Sequence, residues 1–147
     1  MNTHPIEVMF SAEFEKTASL CGDFFYRYQR YEANFSMALF YSCDPIDKSV
    51  FDNILRQSDK CLKLLDNLYA IVFDMTSQGS GMKAVENILA QYEAQHFSQK
   101  LYISFVSAED FNTKEAMKSN LFSLLNYAIK EAKSNQVVDG FYELEHI

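Results

Sequence analysis

The sequence predicts an α/β (α+β) fold in which a mixed sheet is flanked by helices. Segments with the period of an amphipathic helix alternate with apolar runs of strand length, an order typical of a sheet covered by helical layers. Hydrophobic residues make up 48% of the 147 residues and charged residues 22%, which is the composition of a globular protein with a substantial core. No repeat, low-complexity segment or linker divides the chain, so we expect a single domain over residues 1–147.

The first part of the chain predicts two helices and one strand. Residues 10–31 carry aromatic and other apolar side chains at spacings of three and four, which indicates an amphipathic helix. Residues 35–43 are a nearly continuous apolar run and predict a strand buried on both faces. After a turn, Asp47 is placed to cap a second helix, and the apolar positions between Val50 and Leu62 predict that this helix extends to about Leu62.

The rest of the chain continues the alternation of strands and helices. A tight break at Asp66-Asn67 separates the second helix from the next strand. The remaining predicted elements are, in order, a strand (68–75), a flexible loop with two glycines (76–81), a helix to about residue 94, a strand (101–106), a helix opened by a capping box (112–133) and a closing hairpin (137–142). This order fits a ferredoxin-like or palm arrangement.

Composition and charge exclude several classes of function. A net charge of −7 argues against nucleic-acid binding, which requires an excess of Lys and Arg. The longest uninterrupted apolar run, residues 68–73, is far too short to span a membrane, and no secretory signal is visible, so we expect a cytoplasmic protein. The three cysteines and three histidines are widely spaced and form no metal-binding pattern. We therefore expect no metal and no cofactor.

Three stretches resemble GGDEF domains, the fold of the diguanylate cyclases. Residues 27–43 are similar to the end of the first helix and the first strand of these domains. Residues 54–76 are similar to the segment around the GGDEF hairpin, and residues 101–138 to a later strand and the last helix. Together they cover most of the chain in the family's order, so the resemblance implies the GGDEF fold and its strand order.

The loop that carries the GGDEF signature is degenerate in this sequence. It reads, in order, Leu65, Asp66, Asn67, Leu68 and Tyr69. The first two replace the glycines that let the family's backbone approach the nucleotide phosphates, and the next two replace its acidic pair. Only the aromatic position is kept, as Tyr69.

The resemblance also implies that the cyclase chemistry is lost. The family's metal-binding aspartates of the first strand fall on Tyr41 and Cys43, which are not the hard oxygen ligands that Mg²⁺ prefers. The family's guanine-reading segment is missing, because Cys43 is followed after a short turn by the next helix. Formation of a phosphodiester from GTP needs metal to neutralise phosphate charge, so we expect no enzymatic activity.

One family motif is retained, the Arg-x-x-Asp inhibitory site, as Arg56-Gln57-Ser58-Asp59. The resemblance implies that Arg56 contacts guanine and phosphate of cyclic di-GMP and that Asp59 accepts from the base, with Lys60 and Lys63 adding positive charge. The alternative is a simple ion pair, three residues apart, on the exposed end of a helix.

The sequence therefore predicts a catalytically inactive GGDEF-like module that binds or regulates, with cyclic di-GMP as its ligand at Arg56, Asp59 and Lys60. A first alternative is a protein-interaction or homodimerisation module without a nucleotide ligand, because Phe25 and Tyr26 point away from the apolar stripe of the first helix. A second alternative is a residual nucleotide cyclase that uses unrecognised carboxylates.

Overall fold

Five strands form one sheet, and helices cover both of its faces. The computed structural model describes residues 11–139. The strands are β1 (Phe35–Tyr41), β2 (Lys60–Leu65), β3 (Leu68–Asp74), β4 (Tyr102–Ser107) and β5 (Val137–Asp139). The helices are α1 (Ser11–Tyr31), α2 (Ser49–Ile54), α3 (Gln78–Gln95) and α4 (Lys114–Lys130), with a 3-10 helix at Ala108–Asp110.

The strand order in the sheet is β2-β3-β1-β4-β5. Strands β1 to β4 pair antiparallel, whereas β5 pairs parallel with β4, so the predicted mixed sheet is confirmed. The central strand β1 is buried from Phe35 to Phe40, in agreement with the two-sided strand that its apolar run predicts.

Two hydrophobic cores lie on opposite faces of the sheet. Met37 and Leu39 of β1 face a core built with α1 and α4, while Ala38 and Phe40 face a second core built with α2 and α3. The alternation follows from the two-residue period of a strand. The sheet is thus the shared middle layer of the domain.

The predicted extent of the second helix is wrong. Helix α2 ends at Ile54, and residues 60–65 form β2, which pairs antiparallel with β3 across the turn Asp66-Asn67. Leu62 and Leu64 contact the first core and Cys61 the second, which is the period of a strand and not of a helix. In so short a segment the apolar positions fit either period, and pairing with β3 decides between them.

The starts of two later helices differ from the sequence prediction. Helix α3 begins at Gln78 after the N-cap Ser77, so the two glycines of the predicted flexible loop belong to its first turn. Helix α4 is capped by Thr113, whose side chain accepts from the N–H of Ala116 at 3.1 Å, one residue later than predicted. Strand β5 is the first half of the predicted closing hairpin, and residues 140–142 lie outside the described residues.

The aromatic surface of α1 is smaller than the sequence predicts. Phe25 is buried, since α1 packs on both the sheet and α4, and its ring contacts Phe35 edge-on with centroids 6.3 Å apart. Tyr26 is 59% exposed, as predicted, and Tyr31 at the end of the helix is 66% exposed. Among residues 11–139, no helix is both long and apolar enough to cross a membrane.

Candidate functional site

Arg56 and Asp59 lie in the turn that connects α2 to β2, not on a helix. The backbone N–H of Arg56 donates to Asp59 Oδ2 at 2.9 Å. The guanidinium donates from Nη2 to Asp59 Oδ1 at 3.1 Å and from Nε to Oδ2 at 3.4 Å. Such a two-pronged contact fixes the orientation of the planar guanidinium. The structure therefore brings the two predicted residues together, but the carboxylate binds the arginine of its own motif.

Asp59 is buried, with only 3% of its side chain exposed. In addition to Arg56, its Oδ1 accepts from the backbone N–H of Asp74 at 3.0 Å, which ties the turn to the end of β3. Both carboxylate oxygens thus already accept two hydrogen bonds each. Asp59 has little capacity left to accept from a ligand.

Arg56 is held by two further acceptors on the segment that follows β3. Its Nη2 donates to the carbonyl oxygen of Asp74 and to Thr76 Oγ1, the latter at 2.6 Å, while the Thr76 hydroxyl donates to the same carbonyl at 2.7 Å. Even so, 56% of the Arg56 side chain is exposed. Its Nη1 has no acceptor among the described residues, so this edge of a rigidly held guanidinium is available to an anion.

A cavity of about 350 Å³ lies beside this arginine. Phe73, Ile54 and Leu55 form its apolar side, and Arg56 and Thr76 supply polar groups. The combination of an apolar wall and a few convergent polar groups is typical of a small-molecule site. The third predicted ligand residue, Lys60, is exposed at the start of β2 but does not line this cavity.

The residues that the resemblance aligns with the signature loop, 65–69, form the hairpin turn between β2 and β3 and the start of β3. Leu65 pairs with Leu68 across the turn, and Asp66 and Asn67 form its tip. None of these residues has a positive φ, so the turn does not require glycine. Leu68 and Tyr69 are buried, with the Tyr69 ring packed on that of Phe51 at 5.3 Å; Tyr69 is therefore a core residue.

The end of β1 and the hairpin turn are joined by hydrogen bonds. The N–H of Ser42 donates to the carbonyl oxygen of Asn67 at 3.1 Å, and the Asn67 amide donates to the carbonyl oxygen of Ser42 at 2.8 Å. The N–H of Ile46 donates to the carbonyl oxygen of Asp66 at 2.9 Å. The short segment after β1 therefore packs directly against the turn.

The side chains at this corner do not fit a magnesium ion. The positions that the resemblance assigns to metal ligands hold Tyr41 and Cys43, and the turn offers Asp66, which forms an exposed ion pair with Lys63 at 2.8 Å. The hydrogen bond from Lys63 lowers the pKa of the Asp66 carboxyl. Within residues 11–139, no three His, Cys, Asp or Glu side chains are grouped to hold a metal ion.

Two residues that hold the site together could not be predicted from the sequence: Gln99, beside the segment after β1, and Thr76, beside Arg56. Gln99 donates to Ser42 Oγ and to the carbonyl oxygen of Pro45, each at 3.1 Å, and accepts from the Tyr92 hydroxyl at 3.0 Å. Thr76 holds Arg56 from a distance of twenty residues in the chain. No local sequence pattern indicates either residue, because each one bonds to partners that lie far from it in the sequence.

This architecture, a five-stranded sheet with the hairpin of β2 and β3 at one edge and helices on both faces, is the α+β fold of GGDEF domains. The chain is similar to the isolated GGDEF domain of PA1120 (TpbB or YfiN) from Pseudomonas aeruginosa, with a TM-score of 0.67 and 12% identity over 89% of this chain and 91% of that one.

Two further similar structures contain cyclic di-GMP. The GGDEF domain of DgcB from Caulobacter crescentus, in complex with cyclic di-GMP, has a TM-score of 0.64 and 8% identity over 85% of this chain and 86% of that one. A microbial GGDEF domain with a novel mode of interaction with cyclic di-GMP has a TM-score of 0.66 and 12% identity over 86% and 92%. The sequence matches no protein-family model and no curated protein. At these identities the likeness establishes the fold.

Proposed function

We propose that this chain is a catalytically inactive GGDEF-fold module that acts by binding cyclic di-GMP at the Arg56 cavity. The observation that carries the proposal is the state of Arg56, whose guanidinium is fixed by Asp59 and Thr76 while one edge faces solvent beside a cavity. A donor already held in place loses little conformational entropy when it binds an anion.

The absence of catalysis is supported by the corner between β1 and the hairpin turn. Metal-dependent phosphodiester formation needs carboxylates that hold Mg²⁺ against the phosphates. This corner offers Tyr41, Cys43 and Asn67 at the corresponding positions, and Asn67 is already bonded to Ser42. The backbone of residues 42–46 also lies against this turn, because its N–H groups form hydrogen bonds to the carbonyl oxygens of Asp66 and Asn67.

We expect no turnover of GTP. The purified protein, incubated with GTP and Mg²⁺ or Mn²⁺, should give no cyclic di-GMP above the protein-free control, because the ligands for the metal are missing. Product detection by chromatography, with an active GGDEF domain as the positive control, makes the measurement. Turnover that is abolished by Asp66→Ala would support the residual-cyclase alternative and overturn the proposal.

The assignment of cyclic di-GMP is supported by the chemistry of the cavity and by the two similar structures that contain this ligand. A guanidinium matches both a phosphate and the acceptor edge of guanine, and the apolar wall around Phe73 suits a planar base. In the proposed site Arg56 contacts the ligand and Asp59 positions Arg56, whereas Lys60, which pairs with Val72 on the other face of the sheet, is not expected to contact the ligand.

We expect calorimetry to detect binding of cyclic di-GMP to the wild-type protein and a loss of at least about tenfold in affinity for Arg56→Lys. Lysine keeps the charge beside buried Asp59 but lacks the planar fork, so the variant tests recognition with little risk to folding. Lys63→Gln, which removes an exposed lysine of the same strand as Lys60, is the matched control and should bind like wild type.

The melting temperature of each variant confirms that it is folded. No heat with the wild-type protein, or equal affinities for wild type and Arg56→Lys, would contradict the proposed site.

A protein-interaction or dimerisation module is the second candidate. It is favoured by the exposed rings of Tyr26 and Tyr31 on α1, since exposed aromatic side chains are enriched in interfaces. Light scattering tests it: a mass near twice that of one chain, reduced to that of one chain by Tyr26→Ser with Tyr31→Ser, would support a homodimer.

A further inference from the structure

The backbone of Asp74, the last residue of β3, forms hydrogen bonds to both Arg56 and Asp59. Its backbone N–H donates to Asp59 Oδ1 at 3.0 Å, and its carbonyl oxygen accepts from Arg56 and from the Thr76 hydroxyl. The backbone of Asp74 is therefore part of the framework that orients the Arg56 guanidinium.

The side chain of Asp74 points to the opposite face of the sheet. Phe73 faces the core of α2 and α3, and by the alternation of a strand Asp74 faces α1. There its Oδ1 lies 3.4 Å from Arg27 Nη2, in the last turns of α1. Only 11% of the Asp74 side chain is exposed, and Oδ1 is buried without a hydrogen bond, so Arg27 is the charge that compensates it.

Packing on Phe24 favours the position of the Arg27 guanidinium beside Asp74. Its guanidinium lies over the ring of Phe24, 5.2 Å from the centroid, and its side chain is 44% exposed. Arg30, one turn further along α1, contacts Tyr31 instead, with its Nε 3.3 Å from the Tyr31 hydroxyl. Of the two arginines on this helix, only Arg27 reaches the strand that carries the ligand framework.

We propose that Asp74 couples occupancy of the Arg56 cavity to the C-terminal end of α1. This inference rests on the proposed binding of cyclic di-GMP and adds its regulatory readout. A ligand bound at the free edge of Arg56 stabilises the framework to which the Asp74 backbone is bonded, and the Asp74 carboxylate in turn holds Arg27 and the end of α1. Because coupling between two sites is reciprocal, a change at Arg27 must alter the affinity of the cavity.

A double-mutant cycle measured by calorimetry with cyclic di-GMP tests the coupling. Arg27→Gln should weaken binding about fivefold, because it leaves the Asp74 carboxylate without a counter-charge. Arg30→Gln, the matched control on the same helix, should bind within about twofold of wild type. In an Asp74→Asn background there is no charge left to compensate, so adding Arg27→Gln should change the affinity by less than about twofold.

Hydrogen exchange supplies a readout that a purely structural role of Arg27 would not change. Saturation with cyclic di-GMP should slow exchange in the last turn of α1 (28–31) more than in the last turn of α3 (92–95), and Asp74→Asn should abolish the difference. Binding by wild type together with unchanged affinity for Arg27→Gln and equal protection of both helix ends would overturn the coupling alone. No binding by wild type would overturn both the coupling and the proposed function.

Discussion

Asp59→Ala is expected to lower the free energy of unfolding by about 2–4 kcal/mol. The carboxylate is buried and accepts from the backbone N–H groups of Arg56 and Asp74 as well as from the Arg56 guanidinium. Its removal leaves these donors without their partner, and one of them, the N–H of Asp74, belongs to a buried residue. Urea unfolding followed by circular dichroism measures the loss.

The matched control for Asp59→Ala is Asp66→Ala, seven positions further along the chain. Asp66 also pairs with a cation three residues away, Lys63, but 78% of its side chain is exposed and it holds no backbone N–H of another strand. We expect the Asp66→Ala variant to be nearly as stable as the wild-type protein, because exposed ion pairs contribute little to stability. Equal losses for the two variants would show that burial of Asp59 is not what stabilises the turn.

Gly81→Ala is expected to destabilise the domain by about 2–3 kcal/mol, because the new methyl group would overpack the core. A Cβ at Gly81 would lie 2.8 Å from Phe105 Cζ and 3.0 Å from Ser36 Oγ. The Phe105 ring is fully buried between β4 and α3 and has no space to move away. The Ser36 hydroxyl is also constrained, since it donates to the carbonyl oxygen of Thr76 at 3.2 Å.

Gly79→Ala, in contrast, should stabilise the domain. Gly79 lies in the same first turn of α3, but a Cβ there meets nothing within 4 Å, so alanine adds helix propensity of about 0.5–1 kcal/mol without a clash. The two melting temperatures, measured by scanning calorimetry, should therefore move in opposite directions from wild type. A loss of stability in both variants would contradict the close packing of Gly81 on Phe105.

The alternation of elements could be predicted from the sequence because each depends on local period and composition. The buried strand β1 and the long helices follow from apolar runs and spacings that stay within one segment. Strand β2 could not be recognised, because its six residues fit a helix or a strand until β3 supplies the pairing. The burial of Phe25 could not be predicted for a related reason, because Phe25 packs in a core with α4, which lies far along the chain.

At the candidate site, the sequence predicts the identity of Arg56 and Asp59 but not the use of their atoms. A four-residue motif cannot show that both oxygens of Asp59 are consumed within the chain, nor that Thr76 and Asp74 complete the framework around the guanidinium. These partners come from the end of β3 and enter only through the sheet. The prediction that Asp59 accepts from a base therefore gives way to a positioning role.

The outer edge of β2 restricts how copies of this protein can associate. Among the described residues β2 is the last strand of the sheet, and it presents exposed Lys60 and Lys63 together with a bulge between Lys63 and Leu65. Lysines and bulges on an edge strand oppose growth of the sheet by addition of another chain. Two copies that met edge to edge at β2 would bring these lysines close together, and the repulsion between them disfavours this mode of association.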